Sequence, residues 1–143
     1  MKKYLAIDQG TTSSRAIIFN SNLDSISDSQ KGYELIYPED GWVEADALKI
    51  LKTVSETVKG VISGDNLDIE SCGITNQRET TIVWSKKTGD PIYPAIIWQD
   101  RRTNAQCLKL KEEGYESIVN EKTGLLLDPY FSASKISWIL ENV

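Results

Sequence analysis

Residues 4–19 read YLAIDQGTTSSRAIIF, and the reading of this stretch decides the fold. Two short apolar runs, YLAI and IIF, flank the segment DQGTTSSRA at residues 8–16. The runs predict strands over residues 3–8 and 15–20, joined antiparallel through a tight loop. Turns favour glycine and short polar side chains, so a polar hairpin tip accounts for part of the composition. One carboxylate, one glycine and four successive hydroxyls also suit a different task. Phosphoryl transfer needs donors for the phosphate oxygens, a metal ion and a carboxylate to place that ion. Gly10 lets the backbone approach a ligand, Thr11, Thr12, Ser13 and Ser14 offer hydroxyls beside their N–H groups, and Arg15 adds a fixed positive charge. Asp8, at the strand end, suits Mg²⁺, which takes oxygen ligands and keeps several waters. The G-x-x-x-x-G-K-[ST] pattern of a Walker loop is absent. On this stretch alone, a turn and a phosphate loop both stand.

Outward from the loop, residues 25–36 predict a third, edge-like strand that ends before Pro38 and completes an antiparallel meander. PEDGW is a turn, and Asp46 is a good N-cap for a helix with Leu48, Leu51, Val54, Val58, Val61 and Ile62 on its apolar face and Gly64 as its stop. Strands follow at residues 69–75 and 80–84, then a KKTGDP hairpin turn and a short apolar strand at 95–98. Residues 101–113 predict a helix stopped by Gly114, residues 115–121 a shorter one, and residues 134–142 a last amphipathic helix. No repeat, low-complexity segment or linker composition interrupts the order, which reads as one α/β unit around a mixed sheet.

The 143 residues, 40% hydrophobic and 26% charged, fall in the globular range for one domain. A net charge of −5 argues against nucleic acid as the main partner, while a local loop can still hold an anionic nucleotide. The chain has no histidine, and Cys72 and Cys107 form no C-x-x-C pair, which speaks against a zinc site, a Ser-His-Asp triad and a Cys-His pair. Two such cysteines read as reduced thiols of a cytosolic protein. Asp8 interrupts MKKYLAID too early for a signal peptide, and no run of about 18 apolar residues offers a membrane span.

Further along, GITNQRETTIVW sets Arg78 and Glu79 at a junction between strands. They read either as a solvated pair on a turn or as a polar clamp, Arg donating and Glu accepting, for a ligand with adjacent hydroxyls. Trp98 ends an apolar strand in AIIWQDRRT and is either core or the apolar wall of a pocket. Tyr130, after Pro129 in LLDPYFSASK, sits on an ordered turn as a packing ring or a hydroxyl contact.

Taken in order, DQGTTSSRA, GWVEAD, GITNQRETTIVW, IIWQDRRT and TGLLLDPYFSASKISWIL resemble the N-terminal part of the glycerol kinases, within the sugar and polyol kinases. The resemblance runs from Tyr4 to Val143, and TNQRET and DPYFS are its most specific motifs. It implies an actin-like, ribonuclease-H-like ATPase domain: α/β, with a mixed sheet, an N-terminal antiparallel three-strand meander and flanking helices. It implies nucleotide-phosphate contacts at Thr11, Thr12, Ser13 and Arg15, an Mg²⁺-associated acid at Asp8, and a glycerol pocket at Arg78, Glu79, Trp98 and Tyr130. ATP and Mg²⁺ are then the cofactors, glycerol the substrate and the cytoplasm the location, with a homo-oligomer of the full-length protein left open. Glycerol kinases are several times longer than this chain. The resemblance makes residues 1–143 part of the N-terminal lobe of a two-lobe kinase with no internal boundary, and puts the proton-accepting aspartate beyond Val143. Asp100 and Asp128 have no motif match to that base, so no catalytic residue is expected here, and the segment alone is expected to be inactive. A kinase for another sugar or polyol, a non-phosphorylating actin-like ATPase and a non-enzymatic remnant are the alternatives.

Overall fold

The computed structural model describes residues 2–62 and 68–143. In chain order the elements are β1 (Lys3–Gln9), β2 (Ser13–Phe19), β3 (Ser25–Gly32), β4 (Glu44–Ala45), α1 (Ala47–Ile62), β5 (Ile69–Asn76), β6 (Ala95–Ile96), α2 (Asn104–Glu112), α3 (Glu116–Thr123) and α4 (Ser132–Asn142). They fall into two compact units, Met1–Leu35 with Asp46–Gln77 and Ile36–Ala45 with Arg78–Val143. The crossings carry no linker composition, so the sequence gives no sign of this division.

The first unit is a four-stranded mixed sheet ordered β3-β2-β1-β5. β1–β2 and β2–β3 pair antiparallel, which is the expected meander, and β5 joins β1 in parallel after the α1 crossover. The expected stop at Gly64 lies outside the described residues. At the other end of α1, the Asp46 carboxylate accepts the N–H groups of Leu48 (2.9 Å) and Lys49 (3.1 Å), satisfying donors that a helix start leaves open.

α1 covers the β2 face that carries Ser14, Ala16 and Ile18, and Ala16, Ile18 and Val61 form a buried cluster with Leu5, Val58 and Ile69 against it. The buried stripe of α1 is Ala47, Ile50, Thr53, Thr57 and Val61, spaced by three or four residues. The expected stripe was wrong at both ends: Leu48, Leu51 and Ile62 lie one position off it and are exposed. Two threonines take part because the strand opposite offers a hydroxyl, and Ser14 Oγ meets Thr53 Oγ1 at 2.9 Å.

In the second unit β4 and β6 pair antiparallel, Glu44 with Ile96 and Ala45 with Ala95. The strand expected at residues 80–84 is reduced to isolated bridges, Thr81 to Ile96 and Trp84 to Pro91. Pro91 has no N–H to extend a ladder, which accounts for the interruption. The hairpin turn itself closes as expected, with Ser85 N–H on the Asp90 carbonyl at 2.9 Å. Ile36 bridges to Glu44 in this unit, so β3 stops at Gly32 and does not run to residue 36.

α2 starts at Asn104, later than expected, after a turn in which Asn104 N–H donates to the Arg101 carbonyl at 2.9 Å. Arg101 N–H donates to the Gly41 carbonyl (2.8 Å) and Arg102 N–H to Asp100 Oδ1 (2.9 Å). Gly41 has φ 75°, a conformation that favours glycine, within the predicted PEDGW turn. Gly114 and Gly124, at φ 85° and 72°, end α2 and α3 in the same left-handed region.

A buried charge cluster braces this unit. The Arg102 side chain, fully enclosed, bonds Glu44 Oε1 (2.8 Å) and both oxygens of Asp100 (2.9 and 2.8 Å). Its guanidinium lies over the rings of Trp42 (3.9 Å) and Trp138 (4.6 Å). Burial works against that charge, but the bonds from Asp100, Glu44 and Tyr93 outweigh it and raise the Arg102 pKa. Asp100 also accepts Val43 N–H at 2.6 Å, so its carboxylate is committed to structure.

Candidate functional site

The first cluster of candidate residues sits in the sheet unit. Asp8 is in β1, directly across from Arg15 in β2 and Thr75 in β5, so the three share one face of the sheet. Ser13 lies on that face too, two residues before Arg15. Ser14 points the other way, to α1, which removes one of the four hydroxyls from the loop's ligand-facing set. Only Gly10, Thr11 and Thr12 lie outside the strands.

This loop is held from beneath. Gly10 N–H donates to the Ser13 carbonyl (2.9 Å) and Tyr33 N–H to the Thr12 carbonyl (3.0 Å). The Gly10 carbonyl accepts from Gln9 Nε2 (2.8 Å), Gln77 Nε2 (3.3 Å) and the Tyr33 hydroxyl. Gln77 Nε2 also reaches Gln9 Oε1 (3.0 Å) and Tyr33 Oη (2.8 Å). Burial raises the Tyr33 pKa despite the bonds from Gln9 and Gln77, so the phenol stays a neutral donor at neutral pH. A peptide is planar and trans, so fixing the Gly10 carbonyl also fixes the direction of the Thr11 N–H.

Arg15 is exposed and pairs with Asp28 at 3.2 Å, an exchangeable surface contact. Ser13 Oγ accepts from Gln30 Nε2 at 2.9 Å. Asp8 is exposed, and among the described residues no group of three or more His, Cys, Asp or Glu side chains gathers as a metal cluster. The loop therefore offers hydroxyls, one cation and one carboxylate on a rigid frame.

The second cluster belongs to the other unit. Glu79 adopts φ 65°, rare for a residue with a side chain and a source of about 1–3 kcal/mol of strain. Its Oε2 accepts the backbone N–H (3.1 Å) and the hydroxyl (3.0 Å) of Ser132, the first residue of α4. A carboxylate there satisfies an open helix donor and complements the positive end of the helix. Arg78 is exposed and forms no ion pair with Glu79, so the two are not the solvated pair that is the other reading of this junction. Thr80 Oγ1 accepts Trp98 N–H at 3.2 Å, and the Trp98 and Tyr130 rings meet edge to face at 5.8 Å. Tyr130 in turn meets Phe131 edge to face at 5.1 Å, and its N–H donates to Asp128 Oδ1 at 2.8 Å. The structure thus gathers Glu79, Trp98 and Tyr130 around the start of α4, with Arg78 beside Glu79 in sequence.

Residues 3–143 match the FGGY family of carbohydrate kinases, N-terminal domain. The chain belongs to that family. Its fold is the expected actin-like ATPase fold, a mixed α/β sheet with an antiparallel meander and flanking helices. A glycerol kinase of Oceanobacillus iheyensis is 52% identical over 145 residues, covering 99% of this chain and 29% of the relative. The Plasmodium falciparum glycerol kinase, solved with ADP, superposes with a TM-score of 0.91 at 31% identity, over 99% of this chain and 29% of that one. A ligand-bound xylulose kinase from Lactobacillus acidophilus gives the same TM-score at 22% identity, again over 99% and 29%, and shares the fold alone. The chain spans about 29% of the length of the curated relative from Oceanobacillus.

Within this FGGY domain, the sequence reading missed Lys135, Ser132 and the Gln77–Tyr33 support. Lys135 left one readable trace: it falls on the buried stripe of α4 with Ile139, a place where an amphipathic helix ordinarily carries an apolar residue.

Proposed function

We propose that this chain supplies the phosphate loop and much of the polyol pocket of an ATP-dependent glycerol kinase. The observation that carries the reading is Glu79, held in a left-handed conformation by Ser132 beside the Trp98–Tyr130 pair. A fixed acceptor next to an apolar aromatic wall suits a short polyol: hydroxyls meet Glu79 and Arg78, and the carbon chain lies on Trp98, with Tyr130 at the rim. Such a pocket rejects analogues that lack a hydroxyl, because its polar groups are then left unpaired. The 52% identity to a glycerol kinase favours glycerol over the larger sugars, since the xylulose kinase is far more distant at 22%.

On this reading the terminal hydroxyl of glycerol attacks the γ-phosphorus of ATP, the bond to ADP breaks, and the hydroxyl proton passes to a carboxylate. Rate comes from alignment and from charge stabilisation. Thr11, Thr12, Ser13 and Arg15 bind and orient the phosphates. A lone exposed Asp8 beside hydroxyls, without a protein cage, fits Mg²⁺, which is commonly held by one or two carboxylates, waters and substrate phosphates. When bound, Mg²⁺ neutralises phosphate charge. The proton-accepting aspartate and the adenine pocket belong to residues outside these 143, so residues 1–143 are part of a lobe and inactive alone. The full-length enzyme is cytoplasmic.

The test is ADP release by the full-length protein with ATP, Mg²⁺ and a panel of glycerol, sugars and other polyols. Glycerol should be preferred, and Arg78→Ala should lower kcat/KM for glycerol by tens to hundreds of fold. Equal rates with and without any polyol would instead mark a non-phosphorylating ATPase.

A further inference from the structure

Lys135 is wholly enclosed, with no solvent exposure. It lies in the first turn of α4, where the helix dipole disfavours a cation. Its ammonium donates to the carbonyls of Tyr130 and Phe131 (the latter at 3.3 Å), the two residues that lead into α4. The charges of Glu79, Asp100 and Asp128 favour its protonated form, Glu79 the most, although Lys135 forms no direct ion pair with any of them. Asp100 already has Arg102 and Asp128 has Arg101 at 3.2 Å, whereas Glu79 appears in no such ion pair among the described residues. Burial depresses the Lys135 pKa to about 8 against the pull of those groups, first among them Glu79. A methionine would fill similar space without that cost, so packing alone gives no reason for an ammonium here.

We propose that Lys135 is the positioning residue of the polyol pocket. By tying down the Tyr130–Phe131 backbone at the start of α4, where Ser132 in turn holds Glu79, it keeps both walls of the pocket where a short polyol needs them. One side chain so governs two of the four candidate polyol residues without touching the ligand. The claim rests on the polyol-kinase reading above.

The test uses full-length wild type and Lys135→Met, each assayed for KM and kcat with glycerol and with ATP. The glycerol KM should rise by about tenfold or more while the ATP KM stays within about twofold. Ser132→Ala, which removes one of the two Ser132 donors to Glu79, should move the glycerol KM several-fold in the same selective way, and it serves should Lys135→Met fail to fold. An active wild type whose variants show no glycerol-selective change, or equal changes for both substrates, overturns the positioning role alone. If glycerol is inert and another polyol is turned over, the same split is read with that polyol. A folded wild type that phosphorylates no polyol overturns the kinase reading and this inference with it.

Discussion

The Arg102 guanidinium lies 3.9 Å from the Trp42 ring centre while one of its nitrogens sits 2.8 Å from Glu44 Oε1. The same group holds Asp100, so one cation serves two buried carboxylates and an aromatic face. Lysine cannot supply the planar fork or the stacking. Arg102→Met, which removes the cation and leaves two buried carboxylates uncompensated, should cost about 3–5 kcal/mol. Urea unfolding followed by tryptophan fluorescence reads it, since Trp42 and Trp138 flank the site. A loss below about 1 kcal/mol would show that the cluster relaxes or admits water.

Ser13 and Ser14 are neighbours with opposite duties. Ser14 is buried against Thr53 at 2.9 Å, and Ser13 faces the proposed phosphate side. Ser14→Ala should lower stability by about 1 kcal/mol and leave the ATP KM of the full-length enzyme unchanged. Ser13→Ala should do the reverse, raising the ATP KM several-fold with little change in unfolding. Comparable ATP effects from both would mean that the loop's ligand-facing set is assigned wrongly.

Asp8→Asn keeps the shape of the loop and removes its carboxylate charge. In the full-length protein, turnover should fall far more than glycerol affinity, as the proposed role of this charge toward the nucleotide and its ion requires. If titration shows glycerol binding collapse while turnover per bound substrate holds, Asp8 belongs to the polyol side.

Lys135 makes stability depend on pH in a known direction. The unfolded chain keeps its proton up to an ordinary value of 10.5, while the folded protein releases it near 8. Between these values the unfolded chain binds more protons, so stability rises with pH across that window, and below it the cost of burying the charge is fully present. The difference in urea-unfolding free energy between wild type and Lys135→Met should shift in favour of wild type from pH 7.5 to 9.5. A constant difference across that range would mean that Lys135 titrates alike in both states. Stability is then given up at neutral pH to keep a charge that the pocket uses.

Local chemistry made much of this readable in the sequence. The meander around DQGTTSSRA, the Asp46 cap and the glycine stop at Gly114 follow from turn and cap preferences that act over a few residues. The buried face of α1 did not, because Thr53 and Thr57 look polar until the Ser14 hydroxyl opposite is known. The same limit applies in the candidate site. Arg78, Glu79, Trp98 and Tyr130 stand out by motif, but Glu79 turning to Ser132, 53 residues away, is a tertiary fact. Lys135 carries no motif chemistry; beyond its place on the stripe of α4, its character shows only through the carbonyls that its ammonium meets.

The chain visits the second unit briefly at Ile36–Ala45, returns to the sheet, and comes back only at Arg78. During synthesis, Glu44 therefore leaves the ribosome well before Ile96, the strand partner it pairs with, and before Arg102, the cation that neutralises it. The sheet unit has all its strands once β5 is made, whereas residues 36–45 must wait as an unpaired loop carrying Trp42 and Val43 into solvent. The second unit can close only after α4 brings Trp138 against Arg102 and the Trp42 ring, which makes it the later of the two to mature on the nascent chain.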